Sequence, residues 1–186
     1  MISFLFQDCK KGPEDPAISL KSRKTRMVGS WHLKSGNAGL TLLDPATSPF
    51  AQSFMLDGSH AIATETPMSG PITIYKFAFL LSLDIKKDGS FKLIETYGSY
   101  VLIANGKWNF LSGIGDAKNK EYVTFTIESV DNGETTGHLF NKQSTEFTYK
   151  ILGLHNTNLK LQSGTKEYLN ANGKSISYSG SYEFIQ

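Results

Sequence analysis

The sequence predicts an all-β protein, and three observations carry that prediction. Apolar side chains recur at every second position over long stretches: Tyr75, Phe77, Phe79, Leu81, Leu83 and Ile85 make one row, and Val123, Phe125 and Ile127 make another. Strand side chains alternate faces, so each row becomes one apolar side. The rows are separated at short intervals by turn signals such as Asp88-Gly89, Gly98-Ser99 and Asp131-Asn132-Gly133. The composition agrees, since 17 glycines, 12% aromatic residues and prolines that stop after Pro71 favour strands joined by tight turns over a helical bundle. About eight to ten strands with neighbours joined by tight turns is the pattern of an antiparallel barrel or sandwich.

The 186 residues suit one domain, large enough to bury roughly two-thirds of the surface that the unfolded chain exposes. Nineteen basic against 17 acidic side chains leave a charge of +2, too even to support nucleic-acid binding through phosphate neutralisation. Lys21, Arg23, Lys24 and Arg26 do cluster; they read as a solvated helix face, with an anionic membrane surface as the other reading. The lone cysteine, Cys9, allows no internal disulfide and no cysteine cage for zinc. No apolar run approaches the roughly 20 residues that span a bilayer as a helix.

In chain order, Asp15-Pro16 reads as a helix N-cap followed by proline at the first helical position. It predicts a short helix to Met27, with Ile18 or Leu20 and Met27 buried and Arg23, Lys24 and Arg26 wet. Val28 to Lys34 alternates as a first strand. Residues 35 to 70, rich in Gly, Ser, Thr and Pro, predict a long loop or a pair of short strands, with one strand candidate at Ser59 to Thr66. Tyr75 to Phe110 begins as a long hairpin around Asp88-Gly89 and continues through Tyr100 to Ala104, with Asn105-Gly106 as a further turn signal before Trp108. Tyr122 to Val130 is a clean strand. A polar excursion leads to Glu146–Leu154, where Phe147, Tyr149 and Ile151 share a face. Leu159 to Gln162, Lys166 to Leu169 and Ser175 to Ile185 complete the set.

Two resemblances add to this reading. Cys9 followed by Lys10-Lys11-Gly12-Pro13-Glu14-Asp15-Pro16 resembles the start of a mature bacterial lipoprotein, with Ile2, Phe4, Leu5 and Phe6 like the stump of a signal-peptide hydrophobic region; Asp8 stands where a lipobox has a small residue. The order Gly29-Ser30-Trp31-His32-Leu33, Asp88-Gly89-Ser90-Phe91, Gly106-Lys107-Trp108, Phe147 to Leu152 and Leu159-Lys160-Leu161 resembles the lipocalin-like lipoproteins of Gram-negative bacteria, over roughly residues 27 to 162. This resemblance implies an antiparallel up-and-down β-barrel of about eight strands with a short N-terminal helix. Residues 1–16 are then signal-peptide remnant and tether, and residues 17–186 the barrel. It also implies lipid attachment at Cys9 and a location in the cell envelope as an outer-membrane lipoprotein that meets the membrane through its lipid anchor only. The expected partner is a small apolar or amphipathic molecule in the barrel. A non-enzymatic monomer with no cofactor, no metal and no nucleic acid is expected.

The candidate cavity residues are Trp31, Phe79, Leu81, Phe91, Trp108, Phe125 and Tyr149, which either fill the barrel or surround a ligand. His32, His60, His138 and His155 lack the spacing that would put two ligands on one face. Asp84, Asp88, Glu95, Asp116, Glu121 and Asp131 fall at strand ends and turns and read as solvated carboxylates. There is no nucleophile elbow, Walker loop or dinucleotide glycine pattern. Two other classes stay open. One is a protein- or glycan-interaction module using residues 35–70 and 131–145. The other is a barrel-cavity hydrolase or isomerase, which needs a polar cluster inside, for instance His32 near Glu95.

Overall fold

The computed structural model describes residues 13–15, 21–43, 50–67, 70–111, 121–131, 140, 145–169 and 175–186. A short helix, α1 (Arg23–Met27), precedes the strands β1 (Gly29–Leu43), β2 (Phe50–Leu56), β3 (His60–Pro67), β4 (Thr73–Ile85), β5 (Ser90–Tyr97), β6 (Tyr100–Phe110), β7 (Tyr122–Asp131), β8 (Glu146–Leu154), β9 (Asn158–Gln162), β10 (Lys166–Leu169) and β11 (Ser175–Ile185). Sequential strands pair antiparallel from β1 to β9, and β11 then pairs with β9, β10 and β1, closing the sheet on itself. Among the described residues the barrel has eleven strands, not about eight.

The difference arises in the stretch from 35 to 70. β1 runs on to Leu43, and its two halves take different partners: Gly29–His32 pairs with Ser82–Ile85 of β4, whereas Gly36–Leu42 pairs with β2. At the narrow end the circuit therefore passes through β1, β4, β5, β6, β7, β8, β9 and β11. At the other end the β2–β3 hairpin is wedged between β1 and β4, and β10 replaces β9 beside β11. β3 falls on the strand candidate at Ser59 to Thr66, whereas β2 is the unexpected strand, its inward row of Phe50, Phe54 and Leu56 being interrupted by Gln52. The hairpin tip sits against the point where β1 changes partner. Gly58 has φ of +89°, and a Cβ there would lie 2.8 Å from the Leu33 carbonyl oxygen.

Asp57 holds that tip, accepting from the backbone N–H of Ser59 at 2.9 Å and of His60 at 2.7 Å. The N–H of Ser59, followed by that of His60, lowers its carboxyl from 3.8 to about 2. A depressed carboxylate stabilises the folded form fully above its unfolded value and loses that contribution as pH falls through the folded one. Amide protection at Ser59 and His60, taken relative to the intrinsic exchange rate at each pH, should therefore fall as pH drops from 3.8 to about 2; an Asp57→Asn variant should show no such step.

Three other local expectations are corrected. Asn105-Gly106 is not a turn: it lies inside β6, where the register to β7 shifts. A Cβ on Gly106 would stand 1.9 Å from the Thr126 carbonyl oxygen, so glycine serves a close backbone approach there. α1 is capped by Ser22, whose Oγ accepts from the Thr25 N–H at 3.1 Å, while Asp15 is engaged elsewhere. Its carboxylate accepts from the Leu154 N–H at 2.8 Å and pairs with Arg23 at 2.9 Å and Arg26 at 3.8 Å. Arg26 is consequently buried rather than wet.

Candidate functional site

The inward faces of the strands divide the barrel into two halves of different character. Along β4 the alternation that begins at Tyr75 is buried from Phe79 through Leu81 and Leu83 to Ile85, whereas Phe77 is half-buried and Tyr75 is 37% exposed. β1 behaves in the same way: Trp31 and Leu33 are buried, and Leu40 and Leu42, on the same face, are half-buried. The narrow half is thus packed core, and the wide half is lined by apolar side chains that reach solvent.

The boundary is built by Phe140 and Glu95. β8 pairs with β7 only as far as Thr126, so in the wide half β7 continues without it. From the connection between these strands Phe140 enters the barrel interior, where it is fully buried. Its ring stacks on Tyr149 at 4.6 Å and 15°, and meets Tyr182 edge-on at 5.2 Å. Its backbone N–H donates to Glu95 Oε1 at 2.7 Å, and its carbonyl accepts from the Tyr149 hydroxyl. Glu95 has no exposed surface and also accepts from the Tyr97 hydroxyl at 2.9 Å.

The Tyr178 and Tyr182 hydroxyls bond to each other beside this group. Burial, with Tyr178 and Glu95 adding to it, pushes the Tyr149 and Tyr182 phenols well above their ordinary range. Both rings therefore stay neutral at physiological pH.

Above this floor the register carries a row of inward positions around the wide half: Lys166, Tyr178, Leu40, Gln52 and Glu65 lie on neighbouring strands in direct cross-strand pairs. Gln52 Nε2 donates to Glu65 Oε1 at 2.8 Å and to the Tyr75 hydroxyl at 2.7 Å, and that hydroxyl donates to the same carboxylate at 2.5 Å. Burial and the Glu65 bond raise the Tyr75 phenol, and burial lowers the Lys166 ammonium against the opposing pull of Glu146. The wide half therefore joins inward apolar side chains to a few placed polar groups.

Of the candidate cavity residues, Trp31, Phe91, Trp108 and Phe125 lie in the packed narrow half, each buried. Trp31 donates to the Met27 carbonyl and Trp108 to the Lys86 carbonyl, both at 2.9 Å. Leu81 is buried in β4, Phe79 packs edge-on against the half-exposed Tyr97 at 5.1 Å, and Tyr149 belongs to the floor. Phe79 and Tyr149 are thus the two that border the wide half.

Glu95 is not a solvated strand-end carboxylate. It follows Phe91 and Leu93 on the inward face of β5, and that spacing is the signal that finds it. His32 is exposed on the outer face, so the wall separates it from Glu95. Cys9, His138, Asp116 and most of residues 131–145 lie outside the described residues. No group of three or more metal-ligating side chains occurs among the described residues, nor does any helix there reach the length and apolarity needed to cross a membrane.

An outer groove of about 340 Å³ lies beside β1, β9 and β11, lined in part by Glu14, Asn37, Lys160 and Glu183. Its charges already meet one another or their neighbours: Lys160 bonds Glu14 at 2.5 Å, and Lys34 bonds Glu183 at 2.8 Å. The interior is the better candidate.

No protein-family model matches the chain, and no curated relative does. Among solved structures, the crystal structure of Rv2717c from M. tuberculosis is similar at 14% sequence identity and a TM-score of 0.33, covering 90% of this chain and 99% of that one.

Proposed function

We propose that the protein is a non-enzymatic barrel that holds a small apolar or amphipathic molecule in its wide half, exported and tethered through Cys9. One observation carries the binding reading: inward positions of single strands pass from full burial at the narrow end to solvent contact at the wide end. Inward apolar side chains within reach of solvent, with a few placed polar groups among them, are the lining that suits a small molecule. The tether reading rests on the resemblance around Cys9. It fits the placement of Glu14 and Asp15, which bond to Leu152 and Leu154 at the end of β8 in the narrow half. A tether there leaves the wide mouth facing away from the anchor.

Native mass spectrometry and thermal shift with palmitate, cholesterol and cholate test the binding reading. At a ligand concentration 100 times the Kd, binding stabilises by about 2.7 kcal/mol, which raises Tm by roughly 5–10 °C for a chain of this size. A one-to-one complex with at least one of the three is expected. Leu40→Trp, which places an indole in the mouth, should weaken it at least tenfold without loss of the fold. Absence of binding to all three would overturn the reading.

A further inference from the structure

We infer that Phe140 occupies a recognition site of its own: the slot formed by Glu95, Tyr149 and Tyr182 binds an aromatic ring that carries a neighbouring N–H donor and C=O acceptor, and a small aromatic amide competes with Phe140 for it. This rests on the wide half being a binding cavity and specifies the part of the ligand that meets its floor.

The argument starts from the cost of Glu95. A buried carboxyl is unfavourable unless fully hydrogen-bonded, and the inward positions before it on β5, Phe91 and Leu93, show that this face is otherwise apolar. Closing a barrel does not need an acid at this place. Besides the Tyr97 hydroxyl at 2.9 Å, the acid accepts an N–H at 2.7 Å from a residue that belongs to no strand.

The donor and acceptor of Phe140 are both taken by side chains, Glu95 and Tyr149, and not by a sheet ladder. The ring is held independently, stacked on Tyr149 and edge-on to Tyr182. Three contacts read a ring, a donor and an acceptor in fixed relation. None requires that the three belong to the protein's own chain.

The same chemistry sets the selectivity. A free carboxylate on the ligand would face Glu95 and be rejected, whereas an amide satisfies both Glu95 and the neutral Tyr149 hydroxyl. An aliphatic group would forgo the stacking on Tyr149.

N-Acetylphenylalaninamide is the probe, with 3-phenylpropanoate as the acid control and toluene as the control for simple cavity filling. In the full chain, Phe140→Ala empties the ring slot and leaves the backbone N–H and C=O of residue 140 without the stacking that seats them, so the amide should displace them and bind at least tenfold more tightly than to wild type by calorimetry. Adding Glu95→Leu or Tyr149→Phe should remove at least tenfold of that affinity while leaving toluene binding unchanged. The acid should bind at least tenfold more weakly than the amide.

A folded Phe140→Ala protein that takes toluene but not the amide, or that binds the amide regardless of Glu95, would overturn the inference. Wild type supplies a readout that needs no variant: saturating amide should shift the Phe140 amide resonance, and an unmoved resonance would also overturn it. If wild type still binds a member of the apolar panel, the floor assignment alone falls; if it binds none, the cavity itself does.

Discussion

Replacing Asp15 with alanine should destabilise the protein by about 3–5 kcal/mol, the usual cost of removing one partner from a buried ion pair. The carboxylate has no exposed surface and serves three groups at once, the Arg23 and Arg26 guanidiniums and the Leu154 N–H. Arg26 is itself buried, and its other bond in this cluster is to the Leu154 carbonyl. Its Nε already lacks a hydrogen-bond partner among the described residues. Without Asp15 the Arg26 charge is left in low dielectric with no counter-charge among the described residues, and the Leu154 amide loses its acceptor.

For a chain of this size the loss corresponds to roughly 6–20 °C in Tm, measurable by calorimetry. Two further variants separate charge from hydrogen bonding. Asp15→Asn keeps an oxygen for Leu154 and should fall between wild type and alanine. Arg26→Met in the Asp15→Ala background removes the stranded charge and should recover part of the loss. If Asp15→Ala melts like wild type, the cluster does not hold residues 13–15 to the barrel.

The same residues show what can be read from sequence and what cannot. Phe79 to Ile85 and Phe91 to Leu93 were legible because large apolar side chains alternate with polar ones, and burial follows that alternation in the structure. Of the β2–β3 hairpin, β3 was legible as the strand candidate at Ser59 to Thr66; β2 was not, since Gln52 on its inward face interrupts the apolar alternation of Phe50, Phe54 and Leu56. Asn105-Gly106 shows a different ambiguity: the lack of a Cβ serves a tight turn and a bulged close approach equally, and only the position of the Thr126 carbonyl decides between them. Asp15 satisfied a local capping rule but was claimed by a longer-range pairing with Arg26 and Leu154.

At the candidate site, Glu95 is within reach of the alternation rule through Phe91 and Leu93, but a carboxylate close to the end of a strand reads as solvated. Phe140 had no periodic neighbours to mark it. It lies in the connection between β7 and β8, beyond the end of their ladder at Thr126, and no local pattern announces its burial.

Trp31→Ala should cost about 3–5 kcal/mol, the range for deleting a large buried aromatic side chain, and the variant tests whether this residue closes the barrel or lines a ligand. Trp31 is fully buried, paired across strands with Leu83, and its indole N–H donates to the Met27 carbonyl at 2.9 Å. Met27 is the last residue of α1, where helix carbonyls have no partner within the helix. The indole therefore fills the narrow end and also satisfies the helix that covers it. Alanine removes both; phenylalanine keeps most of the volume and drops the hydrogen bond. Trp31→Phe should therefore lose less than Trp31→Ala, with its own cost near the 1–3 kcal/mol of leaving a buried acceptor unmet. Urea denaturation gives the comparison, with equal slopes showing that both variants unfold as the wild type does. Trp108 then supplies the fluorescence. Since Trp31 lies in the packed half, folded Trp31→Phe protein should bind the apolar panel as wild type does. A tenfold loss of binding at unchanged fold would instead put the indole in contact with the ligand and move the cavity floor below Phe140.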